Sequence, residues 1–400
     1  MSIQPKFPAA LGALLLLPLQ AIAAQVPGTG LVVDAGVAIS YLDDDNVYYR
    51  EEDVVGDSSV IINPRLALSS DLGGRGDSVA LEIDYSQESY AAETALDNDE
   101  YRAAFDGVKQ LGRSQRLTLS VDASKSVDGA DNGANNFGDT PDTVETRALG
   151  LGYHYQAGAV PLRLTFGRDS YRYESLDADN GGGADPRDRD EVLASIRAGY
   201  APVGDRGVYL QFTHGEIIDK ADLSGVASRD ATSAEWLLGF RYRTPELIRL
   251  EANFGLYSLA YEDAPFDDVD EPVHALRLDF PLSPLTTLSF DSRKRFEMTR
   301  LEGSPGYQSL NNTLALEQAL GRRIDLRIHF SRGSDTFLQS EVEDRTTDYG
   351  ISGGWRLGRH LRIFAAASGE ERTRSRVSLQ KAEETTVTRR LLSVGVEAKM

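Results

Sequence analysis

The sequence predicts an all-β chain: a single closed antiparallel transmembrane β-barrel of about 18 strands (range about 16–18), with short turns at one rim and long acidic loops at the other. Three observations carry this reading. From about residue 30 to the end, segments of roughly ten residues alternate apolar and polar side chains, and strand side chains alternate faces with a period of two. The connections between segments alternate between short and long, as they do in barrels whose rims face different compartments. After the first two dozen residues, no apolar run is long enough for a membrane helix.

The N-terminus is a separate element. Lys6 precedes an almost wholly apolar run from Ala9 to Ala23, centred on Leu14 to Leu17, and Ala21-Ile22-Ala23 places small residues where a signal peptidase cuts. This layout predicts a secretory signal peptide over 1–23 and one barrel domain over 24–400. The 400 residues include no cysteine, so an exported chain has no disulfides to stabilise it. A closed barrel needs none, because each backbone polar group pairs with a neighbouring strand.

The alternating segments begin near Leu31, Ser58, Ser78, Asp99, Arg116, Thr143, Pro161, Asp190, Gly207, Thr232, Ile248, Pro272, Leu285, Ser309, Arg323, Thr346, Leu361 and Thr386. The clearest runs from Arg323 to Ser331, where Ile324, Leu326, Ile328 and Phe330 oppose Arg323, Asp325, Arg327, His329 and Ser331. In the second, fourth and seventh segments the alternation slips, which marks candidate bulges. Gly112-Arg113, Ser283-Pro284, Gly321-Arg322 and Gly358-Arg359 are short turns, while 42–57, 127–142, 174–188, 218–230 and 262–271 are long loops. An even strand number puts both chain ends on the short-turn side, which is periplasmic in such barrels.

A large soluble β-protein also alternates, but two features oppose it. The polar face carries dense charge of both signs in strand after strand, as a wet lumen would. Aromatics recur toward segment ends, at Tyr41, Tyr85, Tyr153, Tyr155, Tyr200, Phe240, Tyr242, Tyr349 and Trp355, where interfacial girdles lie. The mean hydropathy of −0.33 fits a barrel in which every other strand residue meets lipid. With 62 acidic and 42 basic residues the net charge is −20, which argues against nucleic acid as a partner.

The polar face defines the candidate site. Its pore-lining residues are Arg116, Asp122, Arg163, Arg197, Glu235, Arg241, Arg249, Glu251, Arg277, Asp279, Arg323, Asp325, Arg327, Arg356 and Arg362. A barrel of this size leaves an aqueous channel unless it is plugged, and arginine rings favour anions. The competing reading is that these arginines pair across strands with Asp122, Asp169, Glu235, Glu251, Asp279 and Asp325. No loop stands out as folded into the lumen, so a monomer is expected rather than a trimeric diffusion porin.

No enzyme motif emerges. His154, His214, His274, His329 and His360 are scattered, and none lies in a nucleophile elbow or zinc helix. The expectation is no catalytic residue, no cofactor and no metal. Asp131-Asn132-Gly133 and Asp177-Ala178-Asp179-Asn180-Gly181 are loosely calcium-like but do not complete a calcium loop.

The stretch from Ala38 to Arg50 includes Asp44-Asp45-Asn46-Val47-Tyr48, and the next segment, Ile61 to Leu68, contains Pro64. An early Asp-Asn-Val-Tyr stretch followed by a proline-containing strand resembles the outer-membrane β-barrel porin family of exopolysaccharide gene clusters. The motif covers about thirty residues. The chain ends Ala398-Lys399-Met400, without the terminal aromatic residue many such barrels share. The resemblance implies a bacterial outer-membrane conduit for polysaccharide export, with outer-membrane lipid, a polysaccharide and periplasmic export components as partners. The alternatives are a general or solute-selective diffusion porin and a structural or adhesion barrel that presents loops. Asp44, Asp45 and Asn46 themselves read as turn-capping residues.

Overall fold

The structure is a computed structural model that describes residues 25–26, 30–73, 76–128, 142–175, 185, 187–203, 206–220, 228–244, 248–262, 266–299, 301, 304–377 and 382–399. The stretch read as a signal peptide, residues 1–23, lies outside them, as do both calcium-like stretches.

Alternation becomes strand. A two-residue β1 (Gln25–Val26) leads into β2 (Leu31–Asp44), β3 (Asp57–Asp71), β4 (Ser78–Tyr90), β5 (Asn98–Gly112) and β6 (Gln115–Asp128). Next come β7 (Asp142–Ala157), β8 (Val160–Ser175), β9 (Arg189–Val203), β10 (Arg206–Asp219), β11 (Ala231–Thr244), β12 (Ile248–Tyr261) and β13 (Val269–Ser283). The chain finishes with β14 (Thr286–Glu297), β15 (Tyr307–Leu320), β16 (Ile324–Phe337), β17 (Val342–Arg356), β18 (Leu361–Val377) and β19 (Ala382–Lys399). Each strand from β2 onward pairs antiparallel with the next, and β19 pairs back onto β2, closing an 18-stranded transmembrane barrel.

The strands are longer than the alternation predicts, from 12 residues in β14 to 18 in β19. They extend past the apolar belt toward the loop rim, as in β18, where residues 369–376 include no apolar side chain and show no period. Two of the three candidate bulges do not form. Pro64 removes one ladder donor from β3 without adding a residue, so Ile62↔Gln87 and Arg65↔Asp84 share one register, and β8 also stays in register with β9. Register shifts fall near the turns instead, at Gln110/Gly112 in β5, Arg206/Val208 in β10 and Pro281/Ser283 in β13.

The apolar face is outermost. Leu238 and Leu256 are 62% and 61% exposed, and Ile324, Ile328 and Phe330 are exposed as well. A soluble protein would bury these side chains; here they form the lipid-facing belt. Tyr200, Phe240, Tyr242 and Trp355 sit within a few residues of the turn rim, as a girdle does, whereas Tyr85 and Tyr349 lie mid-strand.

The closing seam has its own construction. β19 meets β2 over nine register pairs, Gly36↔Lys399 to Asp44↔Leu391, against seventeen between β18 and β19. Residues 382–390 of β19 therefore have no strand on that side, and an open edge is a liability. The chain after β2 covers it. Asp45 N–H donates to the Arg390 carbonyl at 3.2 Å, and Asn46 Nδ2 donates to the Thr388 carbonyl at 3.0 Å. Tyr49 is buried against Val387. Buried Asp44 accepts from Arg389 Nη2 at 2.6 Å and Nε at 2.9 Å. Asp44, Asp45 and Asn46 thus do more than cap a turn: they fasten the first strand's loop to the last strand.

Two outcomes follow for the fold. Leu238→Arg, at mid-belt, is expected to destabilise the barrel by about 2–4 kcal/mol in lipid vesicles, read by denaturant titration of tryptophan fluorescence. Asp44→Ala leaves Arg389 without its buried partner and is expected to cost about 3–5 kcal/mol, seen as loss of the compact, heat-modifiable gel band at lower temperature than in the parent protein.

Candidate conduction path

The ladder register places the candidate residues on one face. Partners across a ladder share a side, and the face opposite the apolar belt connects Arg116, Arg163 and Arg197 with Arg241, Arg249, Arg277, Arg327, Arg356 and Arg362 without a break. Asp122, Glu235, Glu251, Asp279 and Asp325 lie on the same face. Arg323 lies in the turn before β16, where its carbonyl accepts from Arg356 N–H at 2.8 Å.

Much of this wall pairs its charges. Arg241 reaches Glu251 at 2.9 Å, Arg249 and Arg277 share Asp279 at 3.5 and 3.6 Å, and Arg327 meets Glu317 at 2.7 Å. Arg362 reaches across β17 to Asp325 at 2.6 Å, with Arg356 at 3.9 Å from the same carboxylate. Gly354 makes that reach feasible: a Cβ there would overlap the Arg362 guanidinium. Gly239 does the same for Tyr209, whose ring crosses β11 to bond Asn253. Asp122 pairs with Arg102 at 2.8 Å rather than with Arg116. Among the described residues Asp169 and Glu235 form no ion pair. The pairing reading therefore holds for Glu251, Asp279 and Asp325 and fails for Asp169, Glu235, Arg116, Arg163 and Arg197.

The loop rim is built differently. The described residues of the connection between β14 and β15, 298–299, 301 and 304–306, pack inward. Met298 is buried among Ile217, Ala231, Leu259 and Val269, which come from the inner face of β10 to β13. Phe296 stacks on Tyr257 with centroids 5.6 Å apart. Tyr261 Oη donates to the Pro305 carbonyl at 2.9 Å, and Ser304 Oγ donates to the Leu338 carbonyl at 2.7 Å. Buried Arg229, from the neighbouring loop, donates to the carbonyls of Thr299 and of Ser304, the latter at 3.3 Å. Burial pushes its guanidinium below the ordinary range, but arginine stays cationic at any physiological pH. The sequence reading singled out no inward loop, and this one corrects it. Its only local signals are Met298 and Leu301 in an otherwise polar connection, and the contacts that turn it inward are with residues distant in sequence.

Other buried charges brace the same rim. Arg187 bonds Asp142 at 2.6 Å and Asp185 at 2.9 Å and lies over Tyr173. Arg372 and Arg374 share Asp344 at 2.6 and 2.7 Å. Tyr48 donates to Glu93 at 2.8 Å, tying two loops together; burial, reinforced by that carboxylate, pushes its phenol up to about 12.

The histidines do not assemble a catalytic group. His329 bonds Asp348 at 2.7 Å on the inner face, and His360 bonds the Lys399 carbonyl at 3.1 Å. His274 does meet Ser292 across strands at 3.0 Å, but on the outward face, and no carboxylate among the described residues bonds the pair. Among the described residues no group of three or more acidic or histidine side chains could hold a metal ion.

A closed barrel with a greasy outside and a charged inside is a porin-like protein, a fold that supports transport rather than catalysis. The chain belongs to the putative beta-barrel porin 2 family, which it matches over residues 30–399. A search of the curated proteins finds no match. Among solved structures the chain is similar to OccAB3 from Acinetobacter baumannii, at 9% identity and a TM-score of 0.47, covering 92% of this chain and 99% of that one. It is also similar to the apoprotein form of the FrpB iron transporter (F5-1 variant) from Neisseria meningitidis, at 9% identity and a TM-score of 0.46, covering 92% and 81% of the two chains. At these overlaps the likeness carries no argument about function.

Arg229→Ala removes two donors from the inward loop. The expected outcome is a larger single-channel conductance in planar bilayers, by about twofold or more, with the barrel still folded.

Proposed function

We propose that this protein is an outer-membrane conduit through which an exopolysaccharide leaves the cell. The turn rim, where β2 begins and β19 ends, faces the periplasm, and the loop rim faces outward. The observation that carries the reading is the division of the inner wall along its axis: charged, water-accessible side chains line the turn half, and the loop half is narrowed by a latched inward loop. A polymer arriving from the periplasm meets the charged turn half first and the inward loop second.

The inward loop also favours a second reading, a diffusion porin that selects small solutes. Gene deletion separates the two. Under the conduit reading the deletion strain is expected to retain its polysaccharide in the periplasm, measured by sugar analysis of periplasmic and secreted fractions. Unchanged secretion, together with rapid swelling of proteoliposomes in small sugars, would instead support diffusion.

A further inference from the structure

One part of the inner wall departs from the pairing seen elsewhere. Arg116, His154, Arg163 and Arg197 are successive ladder partners across β6, β7, β8 and β9, forming one row near the turn rim. Like charges directly opposite one another in a sheet repel. Acidic residues outnumber basic ones by twenty in this chain (62 against 42), so counter-charges are not scarce. Yet the cavity of about 420 Å³ at this row is lined by no carboxylate, and among the described residues Arg116, Arg163 and Arg197 form no ion pair. Arg197 is held without being neutralised: its Nε donates to Gln211 at 2.7 Å and its guanidinium lies 4.2 Å over the Tyr209 ring. Nε2 of His154, in the middle of the row, is buried with no hydrogen-bond partner.

We propose that this row is an oxyanion site that binds carboxylate or phosphate groups carried on a saccharide chain entering from the turn rim. A guanidinium fork matches the paired oxygens of either group. The row spans three strand spacings, about 14 Å, so it engages more than one anionic group at a time. That multivalency favours a repeating anionic chain over a lone ion. The inference rests on the conduit reading for the ligand being a saccharide; the site itself does not require transport.

The test is isothermal titration of the full chain in detergent micelles with three probes: a galacturonic acid hexamer, maltohexaose and inorganic phosphate. The acid hexamer is expected to bind about tenfold more tightly than phosphate, with no saturable binding of maltohexaose. The Arg116→Gln/Arg163→Gln/Arg197→Gln variant is expected to weaken hexamer binding about tenfold, and Arg65→Gln/Arg102→Gln, in a paired part of the wall, less than about twofold. Heat-modifiable gel migration establishes that each variant is folded. If the triple variant does not fold, Arg163→Gln alone is titrated, with about threefold weakening expected. No saturable hexamer binding, equal losses in both multiple variants, no loss in the folded triple or single variant, or maltohexaose bound as tightly as the acid hexamer would overturn the site. Phosphate bound as tightly as the hexamer would overturn the repeating-chain ligand and assign the row to a free oxyanion. Because secretion by the deletion strain is measured separately, failure of the site and failure of the conduit reading are distinguishable.

Discussion

A backbone amide inside a bilayer has no water to bond, so a strand can cross only if both its edges are paired. For this chain that requirement comes to a head at one place, where β19 returns to β2. The ladder there is half the length of its neighbour on the other side of β19. The remaining edge is satisfied by a loop rather than a strand, through Asp45, Asn46 and the buried Asp44–Arg389 pair. Every other ladder is a hairpin with its partner close in sequence. The seam alone joins residues some 345 positions apart, so it bears the largest loop-closure cost.

Closure also sorts the side chains. Once the sheet is a cylinder, one parity faces lipid and needs no partner, while the other faces inward and must settle its charges. From β11 to β18 it does so by cross-strand pairs, with glycines on intervening strands leaving room for Arg362 and Tyr209 to reach two strands away. The row Arg116, Arg163 and Arg197, on β6, β8 and β9, does not, and the cost of aligned like charges is left standing near the turn rim. At the opposite rim charges are paired and buried together with aromatic and aliphatic side chains, and Thr299, Ser304 and Pro305 of the inward connection are bonded to strands and loops around them. The two halves of the lumen thus differ in what they offer a solute: a row of arginines without carboxylate partners toward the turns, and inward-packed loop residues toward the loops.

Much of the fold was legible because a period of two is a local property. The starts of β4, β12 and β18 fall at Ser78, Ile248 and Leu361 as the alternation predicts, and the inner-face parity of Arg249, Glu251, Arg277 and Asp279 is read directly from their spacing. What misled was equally local. The second segment looked like a bulge because its alternation slips, but β3 keeps one register across Pro64. Asp44-Asp45-Asn46 looked like turn chemistry because the residue that explains Asp44, Arg389, lies at the far end of the chain.

The sequence by itself determined the strand rhythm, the two faces, the alternation of turns and loops, and therefore a barrel, since each follows from neighbours within a few residues. Tertiary structure decided which charges pair, which stand free, and which loop turns inward. Those outcomes depend on which residues closure brings side by side across strands, and a one-dimensional pattern of apolar and polar positions carries no information about such partners.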